Sequence, residues 1–351
     1  MSDSRETTQS KEQTMKAVGL KNYLPISDPN SLLDITLPIP TAQGRDLLVQ
    51  VAAISVNPVD TKVRGPKAKV EEHYRVLGWD AVGTVLAVGE DAELFKVGDE
   101  VYYAGDITRP GSNSEFQLID ERIAGRKPKH LSNAEAAALP LTGITASEGL
   151  FERLRISPET SANKTLLIIG AAGGVGSIAI QLAKQIPGLK IIATASRPES
   201  AEWCISLGAD LVVNHQQDFV KELRAQNIQY VDYIFCLSTT AKHWPAMAEL
   251  IAPQGSICSI VEPEAAIDLN ALKSKSANFV WEFMFTRSMY KTADMIEQHN
   301  ILNRIADLID AKKIKTSLSK TLSPINAENL RAAHAEIEAG KTIGKIVLTN
   351  W

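Results

Sequence analysis

Three glycines, Gly170, Gly173 and Gly176, stand between an apolar run and a helix-forming run, and their spacing is typical of turns that bind phosphate groups. The run 165–169 is almost wholly apolar, as a strand buried on both faces requires, and residues 177–184 have a helical pattern. Glycine at 173 allows close approach of a diphosphate, and glycine at 176 allows the helix to pack tightly on the strand. Because a helix N-terminus carries a partial positive charge, we expect this turn to bind a dinucleotide.

The turn departs from the dinucleotide fingerprint G-x-G-x-x-G at its first glycine, where Ala171 stands directly after Gly170. A second apolar run at 190–195 follows at the distance expected for a βαβ unit. An ordinary glycine-rich turn between strand and helix is the alternative. A P-loop is excluded because Ser177 occupies the place where that motif needs a lysine. The residues predicted to bind the cofactor here are Gly170, Ala171, Ala172, Gly173, Gly174, Val175 and Gly176.

Length and composition limit the class of protein. A chain of 351 residues exceeds the size of one hydrophobic core, so we expect two domains. The net charge of -4 gives no reason to expect a nucleic-acid or membrane partner, and no apolar run reaches the ~20 residues of a membrane span. The three cysteines have no metal-binding spacing and read as reduced, buried thiols. A small-molecule substrate and the cytoplasm are therefore the expected partner and compartment.

The pattern along the chain changes twice. Residues 1–14 are polar and predict a flexible tail. Residues 15–138 contain short strand-like runs broken by turn residues, which predicts a small barrel or sandwich. Residues 139–290 alternate strand and helix, which calls for a doubly wound parallel sheet. Residues 291–351 return to strands and predict that the first domain resumes, so that the cofactor domain is an insertion. The fold class is therefore α/β.

Six motifs occur in the order found in one superfamily. They are AISVNPVD (53–60), GWDAVG (78–83), VGDEV (97–101), ALPLTG (138–143), the glycine turn and GKIVL (344–348). The chain resembles the medium-chain dehydrogenase/reductase superfamily over residues 15–348, in its quinone oxidoreductase and enone reductase branch, which includes proteins called zinc-type alcohol dehydrogenase-like. The resemblance implies a GroES-like β-barrel catalytic domain split by an inserted Rossmann domain, with the active site between them.

The resemblance also permits a test for zinc. In the alcohol dehydrogenases of this superfamily the catalytic zinc is held by a cysteine that aligns with Asn57, a histidine that aligns with Trp79, and a later cysteine that this chain lacks. Asn57 and Trp79 supply none of the thiolate, imidazole or carboxylate ligands that zinc prefers. The four-cysteine structural zinc loop is also missing from the sequence. We therefore expect no bound zinc.

The end of the second Rossmann strand predicts which nicotinamide coenzyme is used. An acidic residue there binds the ribose 2′-hydroxyl of NADH, whereas this chain has Ser196 and Arg197. Arginine makes charge-assisted hydrogen bonds to phosphate, which favours NADPH. Alternatively, Ser196 and Glu199 form a helix capping box, S-x-x-E, and Ser196 serves the helix alone.

Without zinc, the reaction has to rely on hydrogen bonds and positioning. Reduction of a quinone or an α,β-unsaturated carbonyl fits, because hydride adds to carbon while polar donors stabilise the distant oxygen. Asn57 is the first candidate for such a donor, with a turn formed with Pro58 as the alternative. Lys62 is either a second donor or a solvated surface lysine, and Trp79 and Tyr102 either line the pocket or belong to the core.

Further contacts are inferred for the cofactor and the substrate. By resemblance, Thr142 and Thr145 contact the nicotinamide half of the coenzyme, Leu237 ends a Rossmann strand beside it, and Phe283 and Phe285 form an apolar wall of the substrate pocket. Core or dimer packing is the alternative for the two phenylalanines.

The leading hypothesis is an NADPH-dependent, zinc-independent reductase of quinones or α,β-unsaturated carbonyls. The alternative from a different class is an NADPH-binding protein with little turnover, since this branch includes crystallins and nucleic-acid binders. Relatives commonly dimerise through the edge of the Rossmann sheet, which implies a homodimer that uses the run 256–261.

Overall fold

The structure is a computed structural model that describes residues 13–351. Its first part is rich in short strands, in which apolar and polar residues alternate because one face is buried. The elements are β1 (Thr14–Tyr23), β2 (Leu33–Pro38), β3 (Asp46–Val56), α1 (Pro58–Arg64), β4 (Lys67–Val76), β5 (Asp80–Val88), β6 (Glu100–Tyr103), β7 (Phe116–Asp120) and β8 (Ala124–Arg126), with single 3-10 turns at Pro29–Ser31 and Glu121–Ile123.

The middle of the chain alternates strand and helix. Its elements are α2 (Asn133–Ala137), α3 (Pro140–Ser147), β9 (Thr165–Ile169), α4 (Gly174–Ala183), β10 (Lys190–Thr194), α5 (Pro198–Leu207), β11 (Leu211–Val213), α6 (Phe219–Ala225), β12 (Val231–Cys236), α7 (Thr240–Leu250), β13 (Ile251–Ser259) and β14 (Asn278–Trp281). A π-helical turn (Glu148–Arg153) follows α3, and a 3-10 helix (Leu269–Lys275) precedes β14.

The six strands β9 to β14 form one parallel sheet in the order β11-β10-β9-β12-β13-β14. The strand order reverses between β9 and β12, and ligands of doubly wound sheets bind in the crevice at such a reversal. The glycine turn leaves β9 at this point. The sheet therefore directs the turn into a crevice.

The last part of the chain returns to the barrel. It contains α8 (Thr286–Tyr290), α9 (Glu297–Asp310), β15 (Leu318–Leu322), α10 (Ala327–Glu338) and β16 (Lys345–Thr349). Strand β16 pairs antiparallel with β3, so the barrel sheet has the order β15-β16-β3-β5-β6-β8, with β7 also on β3. Strands β1, β2 and β4 form a separate three-stranded sheet. The predicted α/β fold, a GroES-like barrel split by an inserted Rossmann domain, is confirmed.

The two parts of the fold touch at the glycine turn. The backbone N–H of Gly344 donates to the Ala172 carbonyl at 3.0 Å, and Gly173 forms an isolated parallel bridge with Gly344. Strand β16 begins one residue later. The start of the final barrel strand is therefore fixed against the predicted phosphate-binding turn.

Two details differ from the sequence-based expectation. The outer strand of the parallel sheet is β14, not the run 256–261, because the aromatic segment after residue 277 pairs with β13. The predicted tail, residues 1–14, is one residue too long, because Thr14 already pairs with Pro38 between β1 and β2. Residues 1–12 of this predicted tail lie outside the described part. The boundaries at 138/139 and 290/291 stay a prediction. Within the described residues, no helix has the length and apolar character needed to cross a bilayer.

Candidate coenzyme and substrate cleft

A cavity of about 820 Å³ opens between the glycine turn and the barrel. We call it the cleft. Its lining contains residues from β3, α1 and β16 on the barrel side and from α3, α4 and β14 on the other. The predicted site residues that it brings together are Asn57, Lys62, Thr142, Thr145, Gly170, Gly173, Gly174, Val175, Gly176, Leu237, Phe283 and Phe285.

The glycines of the turn serve different purposes. Gly170 has φ +79°, a left-handed conformation that glycine adopts without strain. A Cβ atom at Gly176 would lie 2.2 Å from the Ala171 carbonyl oxygen, so this glycine is required for packing. Within residues 13–351, a Cβ atom at Gly173 would meet only the Gly170 oxygen, at 3.9 Å. Gly173 therefore leaves open space before the N-terminus of α4, where unpaired backbone N–H groups suit a diphosphate.

Four polar side chains are buried together at the barrel side of the cleft: Asn57, Asp60, Asp80 and Lys345. We call them the Lys345 cluster. The Lys345 ammonium donates to the Val56 carbonyl at 2.9 Å, to Asp80 Oδ2 at 3.2 Å and to Asn57 Oδ1. Asn57 Nδ2 donates to Asp80 Oδ2 at 2.8 Å. The amide of Asn57 is thus held between a cation and a carboxylate.

The termini of neighbouring elements complete the Lys345 cluster. Asp80 Oδ1 accepts the backbone N–H of Leu141 at 2.7 Å, close to the start of α3. Asp60 Oδ2 accepts the backbone N–H of Asn57 at 2.8 Å, just before α1 begins at Pro58. Asn57 therefore does form the turn with Pro58, and its side chain also takes part in the cluster.

Burial governs the ionisation of this cluster. Burial raises the pKa of Asp60 from 3.8 to about 7, against the lowering effects of the Asn57 backbone N–H and the Lys345 charge. Among the described residues, Asp60 Oδ1 has no hydrogen-bond donor that would stabilise a negative charge, which agrees with the raised pKa. Burial also lowers the pKa of Lys345, while Asp80 and Asp60 raise it.

We expect Asp60→Asn to reduce the pH dependence of stability. Because the pKa of Asp60 is raised on folding, its favourable contribution is complete below about pH 4 and is lost as pH rises through about 7. Between pH 5.5 and pH 8 the wild type should lose about 2 kcal/mol of unfolding free energy through this group. The variant lacks that loss, and urea unfolding at the two pH values measures the difference. An identical pH dependence in both proteins would refute the raised pKa.

Sequence reasoning missed Asp60, Asp80 and Lys345. Each is a charged residue inside an otherwise apolar or turn motif: NPVD, GWD and GKIVL. A charged residue in such a setting is buried only with a partner, and this is the signal that would have indicated them.

Trp79 and Tyr102 do not line the cleft, contrary to the prediction. The Tyr102 hydroxyl donates to the Leu302 carbonyl at 2.6 Å inside the core. Burial raises the pKa of this hydroxyl above its usual value. Trp79 is buried, and its ring centroid lies 5.9 Å from that of Phe285. Both lie on strands or turns of the barrel whose side chains face inward. The core alternative is therefore the correct one for these two residues.

Ser196 and Arg197 lie beside the cleft and do not line it. Arg197 donates to the Lys341 carbonyl at 2.7 Å, between the cleft residues Gly340 and Thr342. The proposed S-x-x-E capping box is wrong: α5 begins at Pro198, and the Arg197 backbone N–H donates to Ser200 Oγ at 3.2 Å. Ser196 is thus not used as the helix cap. Ala171 and Ala172, also predicted, belong to the turn but do not line the cleft.

A histidine that the sequence did not indicate joins this region. Thr194 Oγ1 accepts the Gly170 backbone N–H at 3.0 Å and shares a hydrogen bond of 3.0 Å with His215 Nδ1. His215 follows β11 and its ring lies edge-on to that of His243, at 5.9 Å. The end of β10 and the end of β11 are therefore connected to the glycine turn.

The aromatic wall of the cleft is anchored by buried charges. The ring centroids of Phe283 and Phe285 lie 5.6 Å apart. Glu282, between β14 and these two residues, accepts a hydrogen bond from Arg153 Nε at 2.9 Å. Arg287 donates to Glu148 at 2.6 Å. Burial and the nearby Glu148 raise the pKa of Glu282. These contacts fix the wall from behind.

The residues at the barrel side of the cleft do not fit a zinc ion. Asn57 supplies an amide, Trp79 is turned into the core, and the Asp80 carboxylate is bound to the Lys345 ammonium. In the described part of the chain, no group of three or more His, Cys, Asp or Glu side chains is arranged to hold a metal. A side-chain cation stands among the acceptors.

Comparison with known proteins identifies the family. The protein-family model described as alcohol dehydrogenase GroES-like domain matches residues 43–161. A second family model, described as zinc-binding dehydrogenase, matches residues 207–348. A zinc-type alcohol dehydrogenase-like protein from Staphylococcus aureus is 45% identical over 336 residues, covering 95% of this chain and 99% of that protein.

Two further proteins extend the comparison. A solved structure from Rhizobium etli CFN 42 has a TM-score of 0.93 and 49% identity, and the match covers 97% of this chain and 99% of that one. That protein is described as a zinc-dependent alcohol dehydrogenase protein. An NADPH-dependent alkenal/one oxidoreductase from Arabidopsis thaliana is 35% identical over 201 residues, covering 54% of this chain and 50% of that protein. The chain therefore belongs to the medium-chain dehydrogenase/reductase superfamily, among its zinc-type alcohol dehydrogenase-like proteins.

Proposed function

We propose that this oxidoreductase uses NADPH, without zinc, to reduce a quinone or an α,β-unsaturated carbonyl. The observation that carries the proposal is the cleft itself. Its lining combines the glycine turn, Asn57 and an apolar wall. The ammonium of Lys345 is bound to the oxygen atoms of Asn57 and Asp80 that a metal ion would need as ligands. The name of the plant relative, an NADPH-dependent alkenal/one oxidoreductase, supports the same reaction class.

The turn and α3 bind the coenzyme in this proposal. Gly173 leaves room for the diphosphate, which accepts hydrogen bonds from the N-terminus of α4. The hydroxyl of Thr145 donates to the Leu141 carbonyl at 2.8 Å and that of Thr142 to the Ala138 and Leu139 carbonyls, so each oxygen can act toward a ligand as an acceptor; both residues line the cleft. Acceptors suit the carboxamide N–H groups of a nicotinamide. The bound coenzyme supplies the hydride.

The substrate side of the cleft suits a flat conjugated acceptor. Phe283 and Phe285 provide an apolar wall, and sugars or polyols would leave hydroxyl groups unpaired against it. The Lys62 side chain is exposed at the cleft and has no hydrogen-bond partner among the described residues, so its ammonium is available to a substrate oxygen or to the coenzyme. Reduction of a conjugated system places negative charge on that oxygen, and nearby donors stabilise it.

The test follows the absorbance of NADPH with a small panel of quinones and enones. We expect at least one of these acceptors to be reduced, with oxidation of NADPH. In the reverse direction, simple alcohols should not reduce NADP. Coenzyme binding without oxidation by any acceptor would instead support the alternative, a non-catalytic coenzyme-binding protein such as a crystallin.

NADPH is proposed over NADH because residues 195–197, directly after β10, include no carboxylate. Ser196 and Arg197 stand where an acidic residue would bind the 2′-hydroxyl of NADH. Arg197 is half-buried and its guanidinium lies at the rim of the cleft, bound to the Lys341 carbonyl. In this proposal its guanidinium binds the 2′-phosphate of NADPH.

We also propose a homodimer formed through β14. This strand is the outer one of the parallel sheet, and its neighbourhood exposes Trp281 by 47%, Phe283 by 46% and Tyr290 by 70%. Pairing of β14 with the same strand of a second copy would cover these rings and the open strand edge. Sedimentation analysis should give a dimer for the wild type and a monomer for Trp281→Asp, with Tyr230→Asp, another exposed aromatic, as the control. A monomeric wild type would contradict the proposal.

The cytoplasm is the compartment that we propose. Cys204, Cys236 and Cys258 are all buried and unbridged, and burial raises the pKa of each thiol. Such thiols are typical of proteins that work in a reducing environment.

A further inference from the structure

We propose that Lys345 is a positioning residue whose ammonium is the fixed cation of the cleft and orients the Asn57 amide relative to the coenzyme turn. The inference rests on the proposed function, because it assigns Lys345 a task in the same reduction. Lys345 lies in the final strand, 288 residues after Asn57, and the fold brings the two side chains into direct contact.

The chemistry of the neighbours determines the orientation of the amide. An ammonium only donates hydrogen bonds and an ionised carboxylate only accepts them. Asn57 lies between Lys345 and Asp80, so its oxygen faces the ammonium and its nitrogen faces the carboxylate. Rotation of the amide by 180° would place two donors and two acceptors face to face. The pair of charges therefore selects one amide orientation.

All three N–H groups of the ammonium are used within the protein. They donate to Val56 O, Asn57 Oδ1 and Asp80 Oδ2, and the side chain is nearly fully buried. The ammonium consequently has no hydrogen atom left for the substrate. Its effect on the reaction has to pass through Asn57, which lines the cleft. This is why we describe Lys345 as positioning the amide and not as touching the reacting atoms.

The methylene chain of Lys345 connects this centre to the glycine turn. A Cβ atom at Gly174 would lie 2.7 Å from Lys345 Cδ and 2.9 Å from Thr142 Cγ2, so the chain passes directly beneath the turn. The preceding residue, Gly344, donates its N–H to Ala172. The diphosphate-binding turn and the Asn57 amide thus share one rigid support.

The test compares Lys345→Met, Asn57→Ala and the double variant. Methionine keeps the apolar chain beneath the turn and removes the ammonium. We expect each single variant to lower kcat about 30-fold or more, with the Kd for NADPH changed less than about threefold, and the double variant to be no slower than the slower single one. Lys320→Met, on the neighbouring strand and half-exposed, is the control and should leave kcat unchanged.

A charge-neutral variant covers the case in which Lys345→Met does not fold. Lys345→Met with Asp80→Asn removes both buried charges together, and its kcat should be low and insensitive to further replacement of Asn57. A kcat near that of the wild type in either lysine variant, or losses that multiply in the double variant, would overturn the inference. The proposed function fails separately, if wild-type protein binds NADPH and turns over none of the quinones or enones.

Discussion

Gly173→Val is expected to weaken NADPH binding at least 100-fold, about 2.7 kcal/mol, while the protein remains folded. The backbone at Gly173 has φ -75° and ψ -178°, which valine adopts without strain. The nearest atom to a Cβ there is 3.9 Å away, so the new side chain would occupy the open space predicted for the diphosphate. Loss of the glycine N-cap should cost no more than about 1 kcal/mol of stability.

Calorimetric titration with NADPH and thermal unfolding measure the two effects of this variant. Gly176→Val provides the contrast, because its side chain would collide with the Ala171 carbonyl at 2.2 Å and should lower the melting temperature markedly. If Gly173→Val binds NADPH as the wild type does, the diphosphate does not lie at this turn.

Arg197→Glu is expected to lower kcat/KM with NADPH about 100-fold and to leave or improve the value with NADH. The substitution replaces a phosphate-binding cation with a carboxylate, which repels a 2′-phosphate and accepts from a 2′-hydroxyl. The structural cost should be small because the side chain is 36% exposed and its contacts are one carbonyl and Glu199. Steady-state rates with both coenzymes measure the change in preference.

Arg224→Glu is the matched control for this charge reversal. Arg224 has a similarly exposed side chain, at 40%, and pairs with Glu249; its helix, α6, packs in a different hydrophobic cluster from α5, the helix that follows Arg197. Its replacement should alter neither coenzyme's kcat/KM. Equal losses with NADPH and NADH in Arg197→Glu would show that Arg197 does not distinguish them.

The fold followed from local patterns that repeat along the chain. Alternation of strand and helix after residue 139 predicts the parallel sheet of β9 to β14. Strand β14 was missed because its run of aromatic residues resembles a surface patch as much as a strand. Pairing with β13 decides between them, and that pairing is not visible in the segment itself.

The candidate site could be predicted only where its residues lie close together in sequence. The glycine turn is one contiguous motif, whereas the Lys345 cluster joins Asn57 to side chains that lie 23 and 288 residues away in the chain. Asn57 was identified through its alignment with a zinc ligand, but the sequence does not show that a lysine from the last strand meets it. Tyr102 failed for a related reason: its hydroxyl is paired with the Leu302 carbonyl, 200 residues away in the chain, and the sequence does not show that contact.

Titration of wild-type protein with NADPH in a calorimeter tests the central claim most directly. If the turn between β9 and α4 holds the diphosphate of a dinucleotide, the titration should saturate at one NADPH per chain with a Kd on the order of micromolar. Absence of binding at ~1 mM NADPH and at ~1 mM NADH would contradict the assignment of the cleft to a nicotinamide coenzyme.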